Sequence, residues 1–149
     1  MGTRYKGTKA EVRALDAYIK LVRASESIVG RLGQSLRVED ELTLSQFGVL
    51  EALLHLGSMC QRELGVKILK SSGNVTMVVD NLEKRGLIAR RRSTEDRRVM
   101  EVDLTAKGRA LIKELFPRHA AEITAEMGRL TAAEQKQLGA LCRKLGSGD

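Results

Sequence analysis

Two short stretches of this chain gather the side chains with chemistry to offer. One is RRRSTEDRRV, residues 90–99, which has five arginines in ten residues with a Glu-Asp pair between them. The other is KSSGNVTMVVDNLEK, residues 70–84, which carries Lys70, Ser71, Ser72, Asn74, Thr76, Met77, Asn81 and Lys84. Guanidinium groups at this density suit a polyanion, because each presents a planar fork that matches phosphate. Ser, Thr and Asn can each donate or accept a hydrogen bond, which suits them to the edges of bases. The residues of hydrolytic or redox catalysis are sparse by comparison. The two histidines, His55 and His119, have no Ser-His-Asp arrangement, glycine-rich phosphate loop or metal-ligand spacing around them. We therefore expect no enzyme, no catalytic residue, no metal and no cofactor.

Charge points the same way as the motifs. The chain of 149 residues has a net charge of +7. Residues 84–98 hold seven basic residues against Glu95 and Asp96, which is most of that excess in one segment. A focused cluster implies double-stranded nucleic acid or another polyanion as partner more strongly than an even spread does. Two Tyr, two Phe and no Trp are too few for a single-strand stacking platform. Cys60 and Cys142 form no CxxC or Cys/His cluster, which argues against structural zinc and a disulfide framework and fits a reducing compartment. No signal-peptide core and no run of eighteen apolar residues occurs, so the expected location is cytoplasmic, with no membrane partner.

The elements that must position these residues can be read from periodicity. Val12, Leu15, Ile19, Val22, Val29, Leu32 and Leu36 recur in steps of three and four with one polar interruption at Glu26, predicting a helix over about 10–38. So narrow a seam on so long a helix calls for another helix against it. Capping-box patterns at Thr43/Gln46, Ser58/Gln61 and Thr131/Glu134 predict helices over about 44–56, 59–69 and 132–145. In the last of these, Leu138, Leu141 and Leu145 are expected to face inward. A fourth helix runs from SSGN to about residue 85, with Val75, Val78, Val79 and Leu82 as its inner stripe and Gly86 as its stop. Two strands follow, 87–92 and 98–104, joined by the hairpin loop Ser93–Arg97. A long helix over about 106–128 contains Pro117, which removes the hydrogen bond to residue 113 and predicts a kink or break.

A short helix, a tight turn and a second helix with an uncharged polar face read as a helix-turn-helix. The hairpin directly after it carries the arginines at its feet and tip, as a wing that reaches the DNA backbone and minor groove would. The fold class is mostly α with a minor β part: a winged helix-turn-helix between long N- and C-terminal helices.

The stretches LTLSQFGVLEAL, SSGNVTMVVDNLEKRGLI and STEDRRVMEVDLTAKG resemble the MarR family of winged helix-turn-helix regulators, in that order and spacing over residues 42–108. The last contains the family's Asp-x-Arg, here Asp96 and Arg98, followed by its Leu-Thr-x-x-Gly. The resemblance implies a homodimer with intertwined terminal helices, dimerisation segments 1–38 and 106–149, and a DNA-binding domain over 39–105. It also implies sequence-specific binding to a palindromic site, usually repression, and often release by a small phenolic, aromatic or anionic effector. Ser72, Asn74, Thr76 and Met77 then face the major groove, with Lys70 and Ser71 at the helix start near phosphate. Asn81 and Lys84 sit closer to the backbone, and Arg91, Arg97 and Arg98 reach DNA from the wing. Strand alternation turns Arg98 toward the protein instead, where Asp96 or Asp80 would pair with it as a brace, and points Arg97 outward into the minor groove. The two views of Arg98 conflict at this level. Tyr18 and Phe47 are candidate walls of an effector pocket, or plain core. Cys60 falls in the first turn of the third predicted helix, where a helix dipole favours a thiolate, so a redox- or quinone-responsive regulator is an alternative. A non-specific nucleoid or RNA-binding protein is a second alternative, against which the uncharged recognition face weighs.

Overall fold

The computed structural model describes residues 2–68 and 72–147, the side chains of residues 72 and 73 excepted. These residues form two compact units, divided after Ile112. The first begins with a helix α1 (Lys9–Asp40). Thr8 and Glu11 close a capping box at its start, each accepting from the other's backbone N–H at 3.2 and 2.8 Å. The apolar seam predicts a start near residue 10; the box in TKAE places it at Lys9. Along α1 only Leu32 and Leu36 are buried, and Tyr18, Leu21 and Val29 are exposed.

Next come α2 (Leu44–Leu56), β1 (Met59–Cys60), α3 (Gln61–Lys67) and α4 (Ser72–Lys84). Thr43 and Gln46 form the expected capping box on α2. Phe47, Leu50 and Leu53 of α2 are fully buried, as are Leu64 of α3 and Val79 and Leu82 of α4. This cluster is the core, and α2 packs against α3, α4 and the sheet. Ser58 is not the cap it was expected to be. Its hydroxyl donates instead to the Val102 carbonyl at 3.1 Å, and α3 is capped at Cys60, whose N–H is taken by the Glu63 carboxylate. The reason is the short strand β1, unforeseen in the sequence, which claims residues 59–60 for the sheet.

The wing strands are β2 (Ile88–Arg92) and β3 (Met100–Leu104). The sheet is antiparallel in the order β1-β3-β2, with Met59 opposite Val102 and Arg92 opposite Met100. Between α4 and β2 the chain turns at Gly86, whose φ of 72° favours glycine. The Leu87 N–H bonds to Leu82 O and the Gly86 N–H to Glu83 O, a Schellman closure. Helix α5 (Ala106–Met127) begins at the motif Leu-Thr-x-x-Gly. The Thr105 hydroxyl accepts from the Gly108 N–H at 3.0 Å and donates to Gly86 O at 2.6 Å. Pro117 lies inside α5 without breaking it, because the missing bond is a single rung of a 22-residue ladder.

In the second unit α5 continues to the turn before α6 (Ala132–Ser147), which Thr131 and Glu134 cap as expected. Here the structure corrects the sequence reading: Leu138, Leu141 and Leu145 do not face inward but are exposed, and α6 has no buried residue among those described.

Candidate nucleic-acid interface

Helix α4 stands on an apolar face, with Val75, Val79 and Leu82 buried, and turns the opposite face outward. Asn74, Thr76, Met77, Asn81 and Lys84 are all exposed, Met77 to 61%. A methionine this open on a helix of 13 residues has no packing role, so it is available to an apolar group on a partner. Gln61, at the start of α3, donates from Nε2 to the Thr76 hydroxyl at 2.8 Å and links the two helices beside the outer face. Lys70 and Ser71 lie outside the described residues, and Ser72 is placed by its backbone alone.

The wing is held by several arginines rather than merely decorated by them. Its loop, Ser93–Val99, is longer than expected and folds on itself. The buried Ser93 hydroxyl accepts from the N–H groups of Glu95 and Asp96, and the Ser93 N–H closes on Val99 O at 2.9 Å. Arg92 Nη1 donates to Arg97 O at 2.8 Å. Arg91 faces Glu101 across the strands at 3.6 Å. Asp96 accepts from the backbone N–H of Arg98 at 3.0 Å and from its guanidinium at 3.2 and 3.4 Å. The Arg98 N–H and then its guanidinium hold the Asp96 carboxyl below the usual carboxylate range.

Arg98 thus belongs to the turn and not to a strand, and the alternation that would have turned it toward the protein does not apply. Its side chain is 91% exposed while anchored by Asp96. The Arg97 guanidinium has no partner among the described residues. Asp80 is not the partner of Arg98 either. It pairs with Arg90 at 2.6 Å, in a cluster completed by Glu83. In the sequence Arg90 stood out only as one of the clustered arginines and Glu83 not at all, because the pairing depends on α4 and β2 lying side by side.

The other expected site residues do not converge. Phe47 is core, closed to solvent, and Tyr18 is open on α1. A cavity of about 640 Å³ lies where the N-terminal arm meets α1, lined by Val12, Arg13, Asp16 and Lys20 among others, and neither Tyr18 nor Phe47 borders it. Cys60 is half-buried at the α3 cap and not in that helix's first turn. Among the described residues no His/Cys/Asp/Glu group is placed to hold a metal, and no helix is long and apolar enough to cross a membrane.

A polar, nearly uncharged helix face beside an arginine-rich hairpin on a three-stranded sheet defines a winged helix-turn-helix DNA-binding protein. The MarR family model matches residues 42–100. The HTH-type transcriptional regulator MhqR of Bacillus subtilis is 36% identical over 134 residues, spanning 90% of this chain and 92% of that protein. The HTH-type transcriptional repressor MdtR of the same organism is 32% identical over 104 residues, 70% of this chain and 67% of that one. The solved structure of Bordetella bronchiseptica BpsR, whose DNA binding is regulated by 6-hydroxynicotinic acid, superposes with a TM-score of 0.83 at 28% identity, covering 99% of this chain and 100% of that chain. The chain belongs to the MarR family. It is a DNA-binding transcriptional regulator and not an enzyme.

Proposed function

We propose that this protein is a cytoplasmic homodimeric repressor that binds a palindromic operator and releases it on binding a small aromatic or anionic ligand. The observation that carries the reading is the pairing of an uncharged recognition face with an arginine wing whose tip is exposed and already ordered. Dimerisation is supported by the apolar stripe of α6, which a single chain leaves uncovered; residues 1–38 and 106–149 are the segments that would supply the contacts. Repression is supported by the likeness to MdtR, and an aromatic acid as effector by the likeness to BpsR.

In this reading Asn74, Thr76 and Met77 read base edges in the major groove, with Ser72 beside them. Asparagine suits adenine, and the Met77 thioether suits a thymine methyl group. Lys70, Ser71, Asn81, Lys84 and Arg91 contact the backbone. Arg98 enters the minor groove. Its side chain is exposed yet tethered by Asp96, so much of the entropy of ordering a long side chain is already spent before DNA arrives. Arg97, untethered, meets phosphate.

Selection of bound duplexes from a random pool, followed by a screen of phenols, quinones and organic acids for release, tests the whole reading. A specific-to-nonspecific affinity ratio near one would favour nucleoid-type coating instead. Release by quinones that persists in Cys60→Ser removes the thiol route. On the selected duplex, Arg98→Ala should cost about 1–3 kcal/mol and relax the preference for a narrow A·T minor groove. Arg97→Ala should weaken all sequences alike and lower the salt slope by about one, as removal of a single phosphate-neutralising charge requires. Equal, sequence-independent losses in both variants would refute the assignment of Arg98.

A further inference from the structure

The geometry points to Arg90 as a positioning residue that locks the wing to the recognition helix through Asp80 and Glu83, and not as one of the arginines that touch DNA. Asp80 and Glu83 lie three residues apart in α4, on one side of the helix. Arg90 is the third residue of β2. Its Nε and Nη2 bond to the two oxygens of Glu83 at 3.3 and 3.0 Å, a fork-to-carboxylate match. Nη2 also reaches Asp80 at 2.6 Å, and the Arg90 backbone N–H bonds to Glu83 at 3.2 Å. Arg90 is the least exposed of the paired wing arginines, at 22% against 69% for Arg91 and 91% for Arg98. Its Nε and Nη2 are committed to two carboxylates and its side chain is largely covered, which leaves it poorly placed to meet phosphate.

The consequence concerns how the two reading elements act together. Apolar packing beneath α4 and β2 tolerates sliding, because dispersion contacts are not directional. A fork bonded at fixed angles does not. A recognition helix in the major groove and a wing tip in the neighbouring minor groove must keep a set separation. With the clamp closed, that separation is present before binding and need not be ordered on the DNA. Burial alone does not account for the cluster. Asp80 and Glu83 are both substantially exposed, so this is not a core ion pair retained to neutralise a buried charge.

This inference rests on the reading that both α4 and the wing touch DNA, and the test separates the two. The probe is the duplex that the wild-type protein selects from a random pool. Glu83→Gln removes a negative charge close to a polyanion, so electrostatics alone would tighten binding. Loss of the clamp instead predicts about 3- to 30-fold weaker binding, the range by which residues outside the contact surface modulate it. Arg90→Lys keeps the charge and loses the fork, and should be weakened like Glu83→Gln. Hydroxyl-radical footprints of both variants should lose minor-groove protection under the wing and keep protection under α4. Asp80→Asn, which leaves the Glu83 fork in place, should give a smaller loss and serves where a stronger variant fails to fold. Glu83→Gln binding as tightly as wild type or tighter, or Arg90→Lys restoring full affinity, overturns the clamp. Wild-type protein that selects no duplex at all overturns the DNA-reading assignment itself.

Discussion

Replacing Leu141 and Leu145 together by glutamate should produce a folded monomer that no longer holds its operator. Helix α6 is 16 residues long and buries none of those described, and isolated helices of that length are marginal in water. Its stability must come from packing, yet Leu141 and Leu145 are exposed at the i, i+4 spacing that forms one stripe. A second copy of the chain is the partner proposed for that stripe. Two glutamates from each protomer would set four charges in a dry interface, where each unpaired charge is costly. A dimer held by two half-sites gains about 10²–10⁴ in affinity over one arm, and that factor should vanish with the interface. Sedimentation velocity reads the mass, a band shift reads operator affinity, and circular dichroism shows that helix content survives. A double variant that sediments as a dimer, or binds unchanged, refutes the role of α6.

Gly108→Ala should destabilise the winged domain by about 3 kcal/mol, an effect at the upper end of overpacking substitutions. The glycine lies in the first turn of α5, pressed against the backbone between α4 and β2. A Cβ there would sit 2.8 Å from the Leu87 carbonyl carbon and closer still to its oxygen. Backbone cannot swing aside as a side-chain tip can. Leu87 O is also the acceptor for the Thr105 N–H at 3.1 Å, so any retreat breaks the bond that ties the residue before α5 to the start of the wing. The expected fall in Tm is on the order of 10 °C, read at fixed protein concentration because the proposed subunit association would also shift Tm. A change of only a degree or two would mean that α5 moves away without cost. Gly30 is the useful contrast: its Cβ would meet nothing within 4 Å, so Gly30→Ala should hold or raise the Tm.

The Glu83 carboxyl illustrates what an ion pair adds to this fold and when. The Arg90 guanidinium, through its hydrogen bonds, holds it below the ordinary carboxylate range. A carboxylate depressed in the folded state contributes stability above its unfolded pKa and loses it as pH falls through the folded value. The clamp is therefore closed at neutral pH and opens only in acid below the usual glutamate range.

Much of the architecture was legible because its signals are local. The boxes at Thr43/Gln46 and Thr131/Glu134 name their own helix starts, and the stripe Val75, Val79, Leu82 marks the inner face of α4 without reference to anything distant. Three motifs in order were enough to indicate the family. Ser58 shows where such reasoning fails. Ser-x-x-Gln is a sound cap pattern, but the hydroxyl went to Val102, 44 residues away, once β1 paired with β3. The α6 leucines fail in a related way, because the direction called inward depends on what surrounds the helix.

By itself the sequence determined the mostly helical winged fold, the placing of a basic cluster after a helix with a polar, nearly uncharged face, and the family. These follow from periodicity, capping chemistry and charge density, each set by residues within a turn or two of one another. Only the tertiary structure decided the division of labour among the arginines: Arg90 is tied into α4, Arg92 and Arg98 order the loop, and Arg97 is left without a partner among the described residues. These side chains are chemically identical, and an ion pair forms only where the fold brings a carboxylate within a few ångströms. Which arginine holds the wing and which is offered to DNA is therefore a property of how α4 and the hairpin pack.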